Sequence, residues 1–119
     1  MKTSDTIKEI SVALVSAQQK IKFAIKDSTN PHFKSRYADL GSVIDAIKEP
    51  LISCGIGFIQ TPTESQIGTL SLTTRLIHIS GEWIEDTAIC PLQKNDPQGY
   101  GSALTYLRRY SLASITGLY

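Results

Sequence analysis

The strongest constraint on the fold is a change of hydrophobic period. Most of the chain repeats its apolar residues every three or four positions, but "TLSLTTRLIHI", 69–79, alternates. Leu70, Leu72 and Leu76 fall on one side of an extended chain, and Thr69, Ser71, Thr73 and Arg75 on the other. That pattern predicts a strand in a sheet covered on one face only. Ser80-Gly81 supplies a turn and 82–90 returns as a second strand, while 56–61 precedes them as another.

Helical periods flank these strands. Ile7, Ile10, Leu14, Ala17, Ile21 and Ala24 form a narrow stripe that predicts a helix over 4–26, with Thr6 and Glu9 at the spacing of a capping box. Lys8, Lys20, Lys22 and Lys26 lie on or beside its other face. Two readings of this helix stand, a solvated lysine face or a helix that contacts another subunit. Residues 27–41, "DSTNPHFKSRYADLG", read as a polar loop, broken at Asn30-Pro31. Asp39 caps a second helix that turns Leu40, Val43, Ile44, Ile47 and Leu51 inward, is kinked by Pro50 and ends before Gly55. Asp96 and Pro97 start the last helix. The order is α-α-β-β-β-α, an α+β domain with a three-stranded antiparallel meander.

With 119 residues, 41% of them hydrophobic, the chain suits one domain with a real core. No apolar run approaches the roughly 20 residues of a membrane span, and the amino terminus lacks the apolar block of a signal peptide. A cytoplasmic protein is expected. Cys54 and Cys90, in apolar surroundings, read as free and inert thiols. His32 and His78 stand at no metal-ligand spacing, so neither a metal nor another cofactor is expected.

Net charge is only +1, but it is unevenly spread. Residues 1–37 carry seven Lys/Arg against three acids, 38–96 three against eight, and 97–119 two against none. A fold that joins the two ends would gather cations on one face. The two late cations are Arg108 and Arg109 in "SALTYLRRYSL". At 100° per residue, Ala103, Tyr106, Leu107, Tyr110 and Ala113 share one broad side of that helix. Gln98, Thr105, Arg109 and Thr116 share the opposite side, flanked by Gly101 and Arg108. A solvated helix usually mixes charges. Arginine forks among short side chains suit a phosphate backbone instead. The competing assignment pairs each arginine with Glu82, Glu85 or Asp86.

A second candidate is "NPHFKSRYADL", where Phe33 and Tyr37 interleave with Lys34 and Arg36. Rings that stack bases beside cations that track a backbone are how single strands are held. The same rings could instead anchor the loop over the second helix. Lys94 is a third cation, near the positive end of the last helix.

Three blocks in order, "NPHFKSRYADLGSVIDAIKEPL", "HISGEWIED" and "QGYGSALTYLRRYSL", resemble the ERF (essential recombination function) family of phage single-strand annealing proteins. The likeness spans about residues 10 to 117. It implies single-stranded DNA as a partner, annealing of complementary strands without ATP, and a homo-oligomeric ring or filament in the cytoplasm of a bacterial host. It implies a β-β-β-α core similar to that of eukaryotic annealing mediators, with cations on the helix after the sheet gripping the DNA backbone. By motif this assigns Arg108 and Arg109 to the backbone, with Lys34, Arg36 and Tyr37 from the first block; Lys94 follows by proximity alone. Relatives run on into a polar tail that often contacts single-strand-binding protein. The expectation is therefore that 1–119 form a DNA-binding and oligomerisation core of something longer.

Three other functions compete with this reading. A nuclease needs converging carboxylates, and Glu82 and Glu85 fall on opposite strand faces. No catalytic triad and no "GxxxxGK[ST]" loop is present. A protein-interaction or oligomerisation module without DNA affinity fits the helix stripe and the one-sided sheet. A double-stranded RNA binder would prefer duplex.

Overall fold

The tight turn at Ser80-Gly81 organises the sheet. In the computed structural model, which describes residues 1–21, 28–30, 35–37 and 39–118 (the backbone alone for 28–30 and 35–37), Gly81 adopts φ 94°. The His78 amide donates to the Glu82 carbonyl at 2.8 Å across this turn. Strand β5 (Thr69–His78) thereby pairs antiparallel with β6 (Trp83–Pro91), setting Leu76 opposite Ile84 and Leu72 opposite Ala88. Strand β4 (Ile56–Thr63) lies on the other side of β5, with Phe58 opposite Leu76. The expected meander is present. Its first strand runs two residues further than predicted and includes Pro62, which an edge strand tolerates.

A fourth strand went unread. β1 (Lys2–Thr3) pairs with β6, giving the order β1-β6-β5-β4. Two residues carry no period, so only the tertiary pairing reveals it. The stretch expected as an irregular loop also holds a small hairpin, β2 (Ser28–Asn30) against β3 (Ser35–Tyr37). Its strands are too short and too polar to show alternation.

The cover follows the alternation except at Ser71, which is buried on the other face beside Thr63. Leu70, Leu72, Thr74 and Leu76 are buried beneath the helices. The opposite face carries a Thr73–Thr87 hydroxyl pair at 2.8 Å and Arg75, which lies over the Trp83 ring and bonds Glu85 at 2.8 Å. Ile89, on that face, is 66% exposed.

Helix α1 (Lys8–Lys20), α2 (Leu40–Ser53) and α3 (Pro97–Thr116) pack on the apolar face. Asp39 caps α2 as expected, accepting from the Ser42 amide at 2.8 Å, and the helix continues through Pro50 to Ser53. Val43, Ile47 and Leu51 are its buried face. They join Ile10, Ala17, Leu76 and Leu112 in the main core. A second, smaller cluster gathers Leu70, Leu72 and Leu107 under the middle of α3.

Helix α1 starts four residues later than predicted, and its cap is not the Thr6/Glu9 box. Ile7 occupies the cap position without a side-chain bond. The carboxylate of Glu82 does the capping from across the fold. One oxygen accepts from the Glu9 and Ile10 amides, both at 2.8 Å, and the other from the Thr6 hydroxyl at 2.6 Å. Two orphan amides at a positive helix end, and one hydroxyl beside them, are satisfied by one anion. The predicted residues beyond Ile21 lie outside those described.

This cap carries a pH dependence. The Thr6 hydroxyl first, then the Ile10 amide, hold the Glu82 carboxyl below the usual carboxylate range, against a burial effect in the other direction. A depressed folded pKa stabilises above the unfolded value and stops doing so as pH falls through the folded one. The native chain should therefore lose part of its stability as pH falls below about 5, where a free glutamate begins to protonate. Glu82→Ala should unfold at lower urea at neutral pH, and its deficit should shrink on acidification. A deficit that is the same at neutral and acid pH would contradict the cap's being the carboxylate.

Candidate nucleic-acid interface

Helix α3 is built to start and stop sharply. Asp96 accepts from the Gly99 amide at 2.7 Å and Pro97 fills the first turn, where its missing N–H costs nothing. Gly117, at φ 79°, ends it in the left-handed conformation, and its amide and that of Leu118 both reach the Ala113 carbonyl at 3.1 Å. The Gln18 side chain donates to the Thr116 carbonyl at 3.1 Å, so the ends of α1 and α3 meet.

A single helical wheel misplaces several of its residues. The middle of α3 buries Leu107 against Leu70 and Leu72 of the sheet, and its last turns bury Leu112 and Thr116 among α1 and α2. The buried side therefore rotates along the helix. Thr116, expected on the polar side, is fully buried and its hydroxyl returns to the Leu112 carbonyl at 2.6 Å. Tyr106 and Tyr110, expected inside, are each 51% exposed.

The two arginines point to different neighbours. Arg108 is half-buried on the β4 side of the helix, where its Nε donates to Gln60 Oε1 at 3.1 Å. The Gln60 amide in turn donates to the Arg108 carbonyl at 3.2 Å and to Thr74 Oγ1 at 2.9 Å. Arg109 lies with the tyrosines. Its guanidinium carbon stands 4.9 Å from the centre of the Tyr110 ring and 5.7 Å from that of Tyr106, both within cation–π range. The two rings are 4.5 Å apart and tilted by 46°.

The acids weighed as partners for these arginines make bonds of their own. Glu82 caps α1, Glu85 bonds Arg75, and Asp86 bonds the Thr87 amide at 2.9 Å with the amino terminus 3.8 Å away. Two hollows run between α3 and the apolar side of β6. One, of about 640 Å³, is lined by Pro91, Lys94, Gln98, Ser102 and Tyr106. The other, of about 450 Å³, is lined by Asp86, Ala88, Leu107 and Tyr110. Lys94, Arg109 and the tyrosines thus share one flank of the helix, with Arg108 set apart.

The remaining candidates fall in the β2–β3 region. Arg36 and Tyr37 are opposite Thr29 and Ser28 in the backbone register, but their side chains lie outside the described residues, as does all of Lys34. The sequence pattern does not single out Tyr106 and Tyr110, the exposed rings beside Arg109. Their spacing of four around Arg109 was the available signal, masked by the assumption of one buried face.

Among the described residues no group of His, Cys, Asp and Glu could hold a metal ion, and no helix is long and apolar enough to cross a membrane. No curated protein matches the chain and no solved structure matches it. The family model of the ERF superfamily matches residues 10–119, nearly the whole sequence and the whole of the helix just described. On that match the chain belongs to the ERF superfamily, a family of strand-annealing recombination proteins rather than of catalysts.

Proposed function

We propose that the chain binds single-stranded DNA and anneals complementary strands without ATP, as a ring or filament of identical subunits. Family membership supports the class of activity. The observation that carries the local reading is the flank of α3, where Arg109 and Lys94 accompany half-exposed tyrosines in a segment with no acid from Pro97 onward.

Annealing must screen the repulsion of two polyanions while the base edges stay free. Cations that hold phosphates do both, and affinity then falls with salt. Arg109 and Lys94 are assigned to the backbone. Arg108 adds to the grip and also ties α3 to β4 through Gln60. Lys34, Arg36 and Tyr37 are assigned to the same strand through the family motif. At a net charge of +1 one subunit binds weakly, and many copies along one strand restore affinity.

Salt-dependent binding of an oligothymidylate tests the assignment. Arg109→Gln should weaken binding and reduce the slope of log affinity against log salt by about 0.7, one phosphate contact on a single strand. An unchanged slope would remove Arg109 from the backbone. No binding by the parent even at low salt would favour an assembly module without DNA affinity.

A further inference from the structure

We infer that Tyr106, which lines the hollow between α3 and the end of β6, and Tyr110, whose ring stands against it, form a stacking ledge for the bases of the bound strand; this rests on the DNA-binding reading above. Tyrosine in a helix ordinarily buries its ring and leaves only the hydroxyl wet. Here both residues are 51% exposed although an apolar floor lies beside them. Their rings contact each other and Arg109, and each still presents surface to solvent.

Exposed aromatic surface alone would equally suit a protein partner. The surrounding charge selects a nucleotide chain. Arg109 sits at the rings themselves and Lys94 lines the same hollow as Tyr106, together with the polar ends of Gln98 and Ser102. A nucleotide offers both halves of that arrangement, a flat base for the rings and a phosphate for the cations. The second hollow is less suitable, because Asp86 lines it. The strand is therefore assigned to the Lys94 side of Tyr110 and not to the Asp86 side.

Stacking is compatible with annealing for a geometric reason. A ring covers the face of a base, whereas pairing uses its edge, so a stacked base remains able to test a complementary strand. Every base has such a face, so the ledge tolerates any sequence.

The test compares binding of an oligothymidylate with that of a tetrahydrofuran abasic oligonucleotide of equal length, at one low salt concentration. The parent should prefer the oligothymidylate by roughly tenfold or more for each base stacked. Tyr106→Leu/Tyr110→Leu should lose most of that preference, its affinity for the oligothymidylate falling toward the parent's affinity for the abasic one. Tyr106→Phe/Tyr110→Phe should keep the preference, which separates stacking from any loss of fold. Equal binding of both oligonucleotides by the parent would overturn the ledge and leave DNA binding standing. A preference undiminished in the leucine variant would overturn it too. Binding of neither by the parent would remove the reading on which it rests.

Discussion

Leu112→Ala should lower the free energy of unfolding by about 2–5 kcal/mol, the range for a buried leucine whose site cannot collapse. Leu112 is fully buried, at the point where α3 leaves the sheet and enters the main core with Ile10, Ala17, Ile47 and Leu51. Those neighbours come from two other helices with their own caps and packing, so none can move in to refill the space. Leu107→Ala should cost less. Leu107 belongs to the smaller cluster and borders the hollow lined by Ala88 and Tyr110, so its surroundings can adjust. Urea denaturation of both variants gives the comparison. An equal loss for the two would mean that the clusters behave as one core.

Gly99→Ala is the second substitution with a large expected effect, about 1–3 kcal/mol, as for other overpacked sites. A methyl group there would lie 2.1 Å from the Lys94 carbonyl oxygen. That is a backbone atom, so relief requires moving either the loop or the first turn of α3. The first turn is fixed by Asp96 bonding the amide of this same Gly99. Gly101, two residues on, meets nothing within 4 Å. Gly101→Ala should therefore stabilise the helix by up to about 1 kcal/mol. Denaturation curves that shift in opposite directions would bear out the close approach at Lys94, and a neutral Gly99→Ala would refute it.

The parts of this fold that showed in the sequence are those with a long period or a local cap. Leu70, Leu72 and Leu76 announced β5 and its buried face. Asp39 and Asp96 marked two helix starts because an aspartate cap acts within three residues. What failed to show depends on distant partners. Thr6 and Glu9 have the spacing of a capping box, yet Glu82, more than seventy residues away, outcompetes it with a carboxylate that takes three donors. β1 exists only through its pairing with β6. The same reason limited the site. A wheel assumes one buried side, while α3 crosses two clusters and turns its tyrosines outward between them. Arg108 and Arg109 are adjacent in sequence, and the wheel leaves open whether they share one path; a step of 100° sends one to Gln60 and the other to the tyrosines.

The measurement closest to the central claim is the annealing of two dye-labelled complementary oligonucleotides without ATP, comparing the parent with Lys94→Gln/Arg109→Gln. Arg108 is left in place because its bond to Gln60 also ties α3 to β4. The parent should accelerate pairing well above the spontaneous rate, and the double variant should lose most of that acceleration while unfolding at the parent's urea midpoint. Equal acceleration by both proteins would contradict a role for this flank of α3. A parent that assembles but leaves the rate of pairing unchanged would contradict the annealing function itself.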